Sequence, residues 1–258
     1  MKKTFIISVL LVLSGALLPA QSPVLQKADE YLAAMDLLPI PQAQAEVDFM
    51  LSSIQDSTTL SSVASKAYRH FRESKVMGAE NVAVYIYDNW FASFKAVFDD
   101  IDELDEAEFH SFINRQSLIG AKAVPLEFSD EKGRTVTLPS RKRMSVIYFY
   151  TTECPKCLYT SIGMRDLLNG GKYRLDVYAV YVGEDLVAWH KYVSKELKIK
   201  NNCRTKVHHL LGGDTDYAVP YGVVQTPRLF LTDKSGTIIG RHLDPQALET
   251  LLNRKQPF

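Results

Sequence analysis

The residues most able to do chemistry in this sequence are two cysteines, Cys154 and Cys157, which flank Pro155 and Lys156. A disulfide between cysteines this close encloses too small a loop to staple a fold, so the pair indicates a redox dithiol or half of a metal site. A four-thiolate zinc site needs a second pair, and the one other cysteine of the chain is Cys203. The spacing therefore favours dithiol redox chemistry, with no metal and no bound cofactor.

Two adjacent histidines, His208 and His209, are the zinc ligands that the sequence could add to the cysteine pair. Their spacing from Cys154 and Cys157 is not the spacing of the usual zinc sites. Zinc binding is therefore the less favoured alternative.

The flanking segments predict that the cysteine pair begins a helix. The run 145–150 is mostly apolar and rich in strand-forming residues, as in a buried central strand, and the pair follows it closely. Residues 158–168 then have a helical pattern that stops at Asn169-Gly170-Gly171. A helix N-terminus stabilises negative charge, so we expect Cys154 to have a lowered pKa and to act as the nucleophile. Cys157, one turn further, should be less exposed and should resolve mixed disulfides.

The residues beside the cysteines fit this placement. Pro155 costs no hydrogen bond at a helix start, because the amide at that position has no partner within the helix. Lys156 adds positive charge near the thiol, whereas Glu153 opposes it. We expect Pro155 and Lys156 to support the active site rather than to react.

After residue 118 the sequence alternates between strand and helix patterns. Strands are predicted at 175–182, 228–231 and 237–239, and helices at 186–197 and 245–252. A turn at Asp233-Lys234-Ser235-Gly236 joins the last two strands into a hairpin. This order predicts an α/β fold with a mixed central sheet flanked by helices.

Residues 24–118 have helical patterns and no catalytic constellation. The first helix should run from about Leu25 to a break at Pro39 and Pro41. Further helices are predicted from apolar residues at three- and four-residue steps, and we interpret their aromatic residues as core. These aromatic and apolar positions are Leu60, Val63, Ala64, Ala67, Tyr68, Phe71, Val82, Tyr85, Ile86, Trp90, Phe109, Phe112 and Ile113.

An acidic run, Asp99–Glu108, holds seven carboxylates in ten positions. We interpret it as a solvated linker and a helix N-terminus, where acidic side chains complement the helix dipole. A calcium site is the alternative, but the run lacks the glycine and the ligand spacing of a calcium loop.

The first 20 residues have the pattern of a cleaved signal peptide. Lys2 and Lys3 precede an apolar run, and Leu18-Pro19-Ala20 offers a cleavage site, although Leu18 is larger than usual there. An uncleaved membrane anchor is the alternative. We therefore expect an exported, soluble protein located in the periplasm.

Composition excludes several other classes of protein. The chain has 258 residues, 46% of them hydrophobic, with 30 basic and 30 acidic side chains, so a disordered, collagen-like or multi-span membrane protein is excluded. Balanced charge also argues against nucleic-acid binding. The charge is not evenly spread, because residues 21–115 carry −9 and residues 116–258 carry +7.

The order and spacing of these motifs resemble the thioredoxin superfamily, and more closely its TlpA/ResA-like periplasmic branch. The resemblance covers residues 117–255. It rests on the cysteine pair and on these stretches: the lead-in Leu118–Pro125, the hairpin of 126–128 and 135–138 around Asp130–Gly133, Tyr221–Pro227, and Phe230–Gly236. The helical segment resembles, through Ser74–Gly78 and its flanks, a domain of unknown function found before such thioredoxins. This predicts a signal peptide at 1–20, a helical N-terminal domain at 21–116 and a thioredoxin-like domain at 117–258.

The resemblance implies a thiol–disulfide oxidoreductase that reduces, forms or exchanges disulfides in envelope proteins. It implies a cis peptide bond before Pro227, next to the cysteine pair, and backbone groups of Thr226 that bind an extended substrate. The implied partners are disulfide or dithiol client proteins and an upstream redox partner, which in this branch can be membrane-bound.

Four positions depart from the family pattern. Glu153 replaces a tryptophan, Tyr148 an aspartate, Thr160 a glutamate and Arg228 a threonine. No carboxylate is therefore predicted to deprotonate Cys157.

Two other functions stay open. A peroxidase of the peroxiredoxin type is suggested by Thr151, which has two residues between it and Cys154, but the proline expected four residues earlier is Ile147. A non-enzymatic binding protein would use the fold as a scaffold. We interpret Cys203 as a partly buried free thiol, with a regulatory or intermolecular thiol as the alternative.

Overall fold

The computed structural model describes residues 23–98 and 100–256, so the signal peptide expected at 1–20 lies outside the described residues. Within these ranges a helical part comes first and a part with alternating strands and helices follows. None of the described helices is both long and apolar enough to cross a bilayer. The helices are α1 Pro23–Met35, α2 Ile40–Ser52, α3 Ser57–Glu73, α4 Ala79–Ile86, α5 Ile101–Asn114, α6 Pro155–Leu168, α7 Leu186–Lys195, α8 Ala218–Tyr221 and α9 Pro245–Lys255.

Helices α1 to α5 share one apolar core, which includes Trp90, because each presents an apolar face at helical spacing. Asp56 begins α3 by accepting a hydrogen bond from the Thr59 N–H at 2.7 Å. The first helix was predicted to break at Pro39 and Pro41, but α1 ends earlier, at Met35, and the two prolines lie at the start of α2. The predicted face of α3 is buried, and its apolar residues are Val63, Ala64, Ala67, Tyr68 and Phe71.

Helix α5 both confirms and corrects the sequence analysis. The acidic run does form a helix N-terminus, where the Asp100 carboxylate accepts a hydrogen bond from the Asp102 N–H at 2.9 Å. The assignment of Phe109 and Phe112 to the core is wrong, because they are 53% and 51% exposed. They lie one turn apart, and α5 buries its other side through Ala107 and its neighbours.

The second part of the chain contains a mixed sheet, whose strands in the described residues have the order β2-β1-β5-β4-β3-β6-β7. The two central pairings, β3 with β4 and β4 with β5, are parallel, and the outer pairings are antiparallel. The α/β fold class predicted from the sequence is therefore correct. The strands are β1 Leu126–Asp130, β2 Thr135–Leu138, β3 Met144–Tyr150, β4 Leu175–Tyr181, β5 Thr205–Leu211, β6 Arg228–Thr232 and β7 Ile238–Gly240.

Strand β3 leads to the cysteine pair, and both of its faces are covered. Its residues alternate between two cores, so that Val146, Tyr148 and Tyr150 face α6, α7 and α9. Ile147 and Phe149 face the opposite core, which contains Tyr221 of α8. Burial on both faces explains why this strand lacks polar alternation.

Strand β5 is not among the strands that were predicted from the sequence. The strand lies between β1 and β4, so it is an interior strand of the sheet. Its sequence contains His208 and His209, and it begins with Thr205 and Lys206, so four of its seven residues are polar. His208 is nevertheless accommodated by stacking on the ring of Tyr178, with the centroids 5.0 Å apart.

The helical part contacts the sheet part through a charged cluster centred on Glu80 of α4. One Glu80 carboxylate oxygen lies 2.7 Å from Arg241 Nη1, and the other lies 3.4 Å from His110 Nε2. The Arg241 Nη1–H is not directed at the carboxylate, so this contact is an ion pair. Arg241 Nη2–H donates to Asn114 Oδ1 at 2.8 Å. Burial raises the pKa of Glu80, but the His110 hydrogen bond and the Arg241 charge outweigh burial and lower it to about 2.

Candidate active site

Cys154 is the N-cap residue of α6, directly after the loop that leaves β3. Its Sγ accepts a hydrogen bond from the Cys157 N–H, with the two atoms 3.2 Å apart. Pro155 occupies the first helical position, where a missing N–H costs nothing. The backbone thus holds the Cys154 sulfur at the positive end of the helix dipole.

The second element of the site is the segment that enters β6. The Thr226–Pro227 peptide bond is cis. The Cys154 thiol donates a hydrogen bond to the Thr226 carbonyl oxygen at 3.5 Å. The Thr226 hydroxyl lies 3.4 Å from the Thr151 hydroxyl. These contacts bring the two segments of the site together across 72 residues of sequence.

The two thiols differ in exposure and in acidity. Both are free, Cys154 is partly exposed and Cys157 is fully buried. Burial raises the pKa of Cys154, but hydrogen bonds from Cys157 and Thr226 outweigh burial, so the net pKa is lowered. Burial and the neighbouring Cys154 raise the pKa of Cys157 to about 11. The arrangement therefore provides one accessible, acidified thiol next to one protected thiol.

A chain of buried hydroxyl groups lies beneath Cys157. Tyr192 donates to Ser161 Oγ at 2.9 Å, and Ser161 Oγ lies 3.1 Å from the Tyr148 hydroxyl. Tyr148 in turn donates to the Cys157 carbonyl oxygen at 2.8 Å. Burial raises the pKa of Tyr148 far above the ordinary tyrosine value, so this hydroxyl stays protonated. The position that holds a carboxylate in the family pattern therefore holds a neutral hydrogen-bond donor.

The other departures from the family pattern also have defined positions. Thr160 is buried and its hydroxyl donates to the Lys156 carbonyl oxygen at 2.9 Å, which completes a turn of α6. Glu153 is exposed and accepts a hydrogen bond from the Thr152 hydroxyl. Lys156 is exposed on the first turn of α6. None of these side chains contacts a cysteine sulfur in the described structure.

A cleft of about 470 Å³ opens beside Cys154, and we call it the site cleft. Sequence analysis did not assign several of its lining residues to the site, among them Arg228 and His242. Arg228 follows the cis proline and was recorded only as a departure from a motif, and nothing in the sequence links His242 to the site. The lining of the site cleft is Pro155, Lys156, Tyr159, Thr160, Gln225, Thr226, Pro227, Arg228, His242, Leu243 and Asp244.

Other residues considered in the sequence analysis lie outside the site. Cys203 is exposed in the loop before β5, so the expectation of a partly buried thiol is wrong. A loop position explains the exposure, because no helix covers the turn there. His208 and His209 lie on β5, and residues 23–98 and 100–256 contain no group of three histidine, cysteine or acidic residues placed to hold a metal.

Comparisons with known proteins identify the architecture. No family model and no curated protein sequence matches the chain. A thioredoxin-like protein from Bacteroides caccae matches along the whole length, covering 99% of this chain and 100% of that chain, with 16% identity and a TM-score of 0.54.

Two further solved structures match only part of the chain. The thioredoxin domain of a thiol-disulfide oxidoreductase from Bacteroides vulgatus is 20% identical and covers 53% of this chain and 96% of its own, with a TM-score of 0.46. A thiol:disulfide interchange protein from Bacteroides sp. is also 20% identical, and covers 54% of this chain and 90% of its own, with a TM-score of 0.46. The full-length match, together with the sheet order and the position of the cysteines, shows that the chain has a thioredoxin-like fold, preceded by a helical segment.

Proposed function

We propose that this protein is a thiol–disulfide oxidoreductase that acts on envelope proteins in the periplasm. The single observation that carries the proposal is the position of the Cys154 sulfur between the Cys157 N–H and the Thr226 carbonyl oxygen, at the N-terminus of α6. The Cys157 N–H and the helix N-terminus acidify this accessible thiol, and the neighbouring Cys157 thiol can displace a client that is bound to Cys154 as a mixed disulfide. The signal-peptide pattern of residues 1–20 supports the location.

The reaction begins when the Cys154 thiolate attacks one sulfur of a client disulfide. A mixed disulfide forms and the first client sulfur leaves as a thiolate. Cys157 then loses its proton to solvent and attacks the Cys154 sulfur, which releases the second client thiolate. Two electrons have passed to the client, and the enzyme holds a Cys154–Cys157 disulfide.

An upstream dithiol must return two electrons before the next reduction. The same steps in reverse form a disulfide in a dithiol client, with a disulfide-bearing partner as the oxidant. The direction depends on the reduction potential of the pair. Equilibration with glutathione measures it, and a value of about −270 mV indicates a reductase, whereas about −120 mV indicates an oxidase.

Cysteine variants test the proposal directly. Reduction of insulin with dithiothreitol as electron source should be lost in Cys154→Ser, and Cys157→Ser should accumulate a mixed disulfide that mass spectrometry detects. Cys203→Ser is the matched control, because this thiol is exposed and lies outside the site. Full activity of Cys154→Ser would refute the mechanism.

The peroxidase alternative gains no support from the arrangement of the site. The threonine of the peroxidase motif, Thr151, has its hydroxyl 3.4 Å from the Thr226 hydroxyl and makes no hydrogen bond with the Cys154 sulfur in the described residues. The close and buried Cys157 favours dithiol exchange. The non-enzymatic alternative does not account for the two site thiols, because the pKa of Cys154 is lowered and that of Cys157 is raised, as dithiol exchange requires.

A further inference from the structure

A second cleft adjoins the site cleft, and the helical part of the chain forms one of its walls. This cleft measures about 230 Å³ and is lined by α5 residues, among them Phe109 and Ile113, and by Val224 across from them. The two clefts share Arg228 and His242. We call the second cleft the seam cleft, because it lies where the helical part meets the sheet part.

The apolar side of the seam cleft is exposed. Phe109 and Val224 line it and are 53% and 57% exposed, and Phe112, one turn along α5, is 51% exposed. An apolar patch with a polar rim, next to a site, is typical of a surface that contacts another molecule. The seam cleft is continuous with the site cleft. A polypeptide that reacts at Cys154 can therefore extend into the seam cleft and contact this apolar patch.

The polar side of the seam cleft leaves one cation without a partner. The Glu80 carboxylate is paired with Arg241, and the Glu106 carboxylate is paired with Arg72 at 2.9 Å. The Arg228 side chain makes no hydrogen bond or ion pair with any other described residue, and its buried Nε is unpaired. Burial lowers the pKa of Arg228 more than the nearby Glu80 charge raises it, so the net lowering reflects the cost of holding this charge partly out of water. An anion from a bound molecule would offset that cost.

We propose that the seam cleft binds the client segment that flanks the reacting cysteine, with an apolar side chain against Phe109 and Val224 and an acidic side chain at Arg228. This inference rests on the proposed function, and it adds a preference for clients whose cysteine has an aspartate or glutamate nearby in the chain. Arg228 is then a specificity-determining residue. The seam cleft selects the client, whereas the cysteine pair performs the exchange.

Short synthetic peptides test the preference. Each peptide has one cysteine, which forms a mixed disulfide with 2-nitro-5-thiobenzoate. Each peptide also has a leucine, and either a glutamate or a glutamine at a position within three residues before or after the cysteine. Attack by reduced enzyme releases the coloured thiolate, so single-turnover absorbance gives the rate constant. The best glutamate peptide should react about tenfold faster than its glutamine counterpart, as expected for one charge-assisted hydrogen bond.

Variants assign the preference to the seam cleft. Arg228→Gln should bring the glutamate-to-glutamine ratio close to one, and Arg228→Glu should favour lysine peptides over glutamate peptides. Phe109→Ser should lower the rate for leucine peptides more than for otherwise identical serine peptides. The control is Phe49→Ser, which removes a phenylalanine that is 70% exposed on another helix and should leave both ratios unchanged.

The outcomes separate this inference from the proposed function. If reduced enzyme releases no thiolate from any peptide or from the free symmetrical aryl disulfide, the proposed function fails. If it reacts with all peptides but the wild-type ratio is near one, or Arg228→Gln keeps the preference, the specificity assigned to the seam cleft is refuted while the oxidoreductase function stands.

Discussion

The Tyr148 hydroxyl donates a hydrogen bond to the backbone carbonyl of Cys157 across 2.8 Å, from the strand beneath the site to the first turn of the site helix. This contact ties β3 to α6 at the buried cysteine. It uses a neutral donor, so it fixes the position of Cys157 without supplying a base for its proton.

Tyr148→Phe should reduce the free energy of unfolding by about 1–3 kcal/mol, because it leaves the Ser161 hydroxyl and the Cys157 carbonyl with one fewer partner in a buried site. Urea unfolding measures the change. Tyr159→Phe is the matched control, because this tyrosine is 72% exposed and should shift stability by less than about 0.5 kcal/mol. Equal effects of the two variants would contradict the structural role.

Alkylation should distinguish the two site thiols. In a Cys203→Ser background, Cys154 should react with iodoacetamide at lower pH than Cys157, because its pKa is lowered and that of Cys157 is raised to about 11. Peptide mapping after brief labelling at a series of pH values gives both profiles. Faster labelling of Cys157 at neutral pH would be inconsistent with this assignment.

Resolution of the mixed disulfide should accelerate with pH. Burial, the largest cause of the raised Cys157 pKa, persists when Cys154 is bonded to a client. Below that pKa the thiolate fraction of Cys157 rises about tenfold per pH unit. The rate of client release should therefore also rise about tenfold per pH unit between pH 7 and 9. Rapid quenching with acid measures the decay of the mixed disulfide. A rate independent of pH in this window would indicate an internal base.

Glu80→Gln should weaken the contact between the two parts of the chain in a pH-dependent way. The pKa of Glu80 is lowered from 4.5 to about 2 in the folded protein, so its contribution is complete above pH 5 and is lost as pH falls toward 2. At pH 7 the variant should be less stable by about 3 kcal/mol, and the difference should shrink by pH 3. Glu73→Gln, an exposed change without a described ion pair, is the control for urea titrations at both pH values.

A chain limited to residues 117–258 should keep the exchange reaction with a small disulfide, because both cysteines and the Thr226 carbonyl belong to that segment. It should react more slowly with a protein client, because α5 supplies one wall of the seam cleft. Circular dichroism first establishes that the fragment is folded. Loss of the small-disulfide reaction in a folded fragment would show that the helical part completes the active site.

Local sequence signals predicted the elements that hold the cysteines. The apolar run before Cys154, the proline at the helix start and the Asp233–Gly236 turn each have a conformational preference that the structure follows. The same signals failed for β5, because the polar character of His208 and His209 hid a strand that lies inside the sheet.

Tertiary relationships were beyond the reach of those signals. Helical spacing places Phe109 and Phe112 on one face of α5, but it does not say whether another element covers that face. Glu80 and Arg241 are far apart in the sequence, and their ion pair exists only because the chain returns to the helical part after β7. The position of Arg228 in the seam cleft could not be predicted for the same reason, because its neighbours there come from distant parts of the sequence.

The chain has two tryptophans, and the fold gives one to each part. Trp90 lies in the core of the helical part, and Trp189 donates to the Tyr150 hydroxyl at 3.0 Å in the core that also contains Cys157. Each part thus carries its own fluorophore. Trp90→Phe and Trp189→Phe would make each emission visible separately, so that fluorescence could report whether the helical part melts before the redox part and whether disulfide closure changes only the second signal.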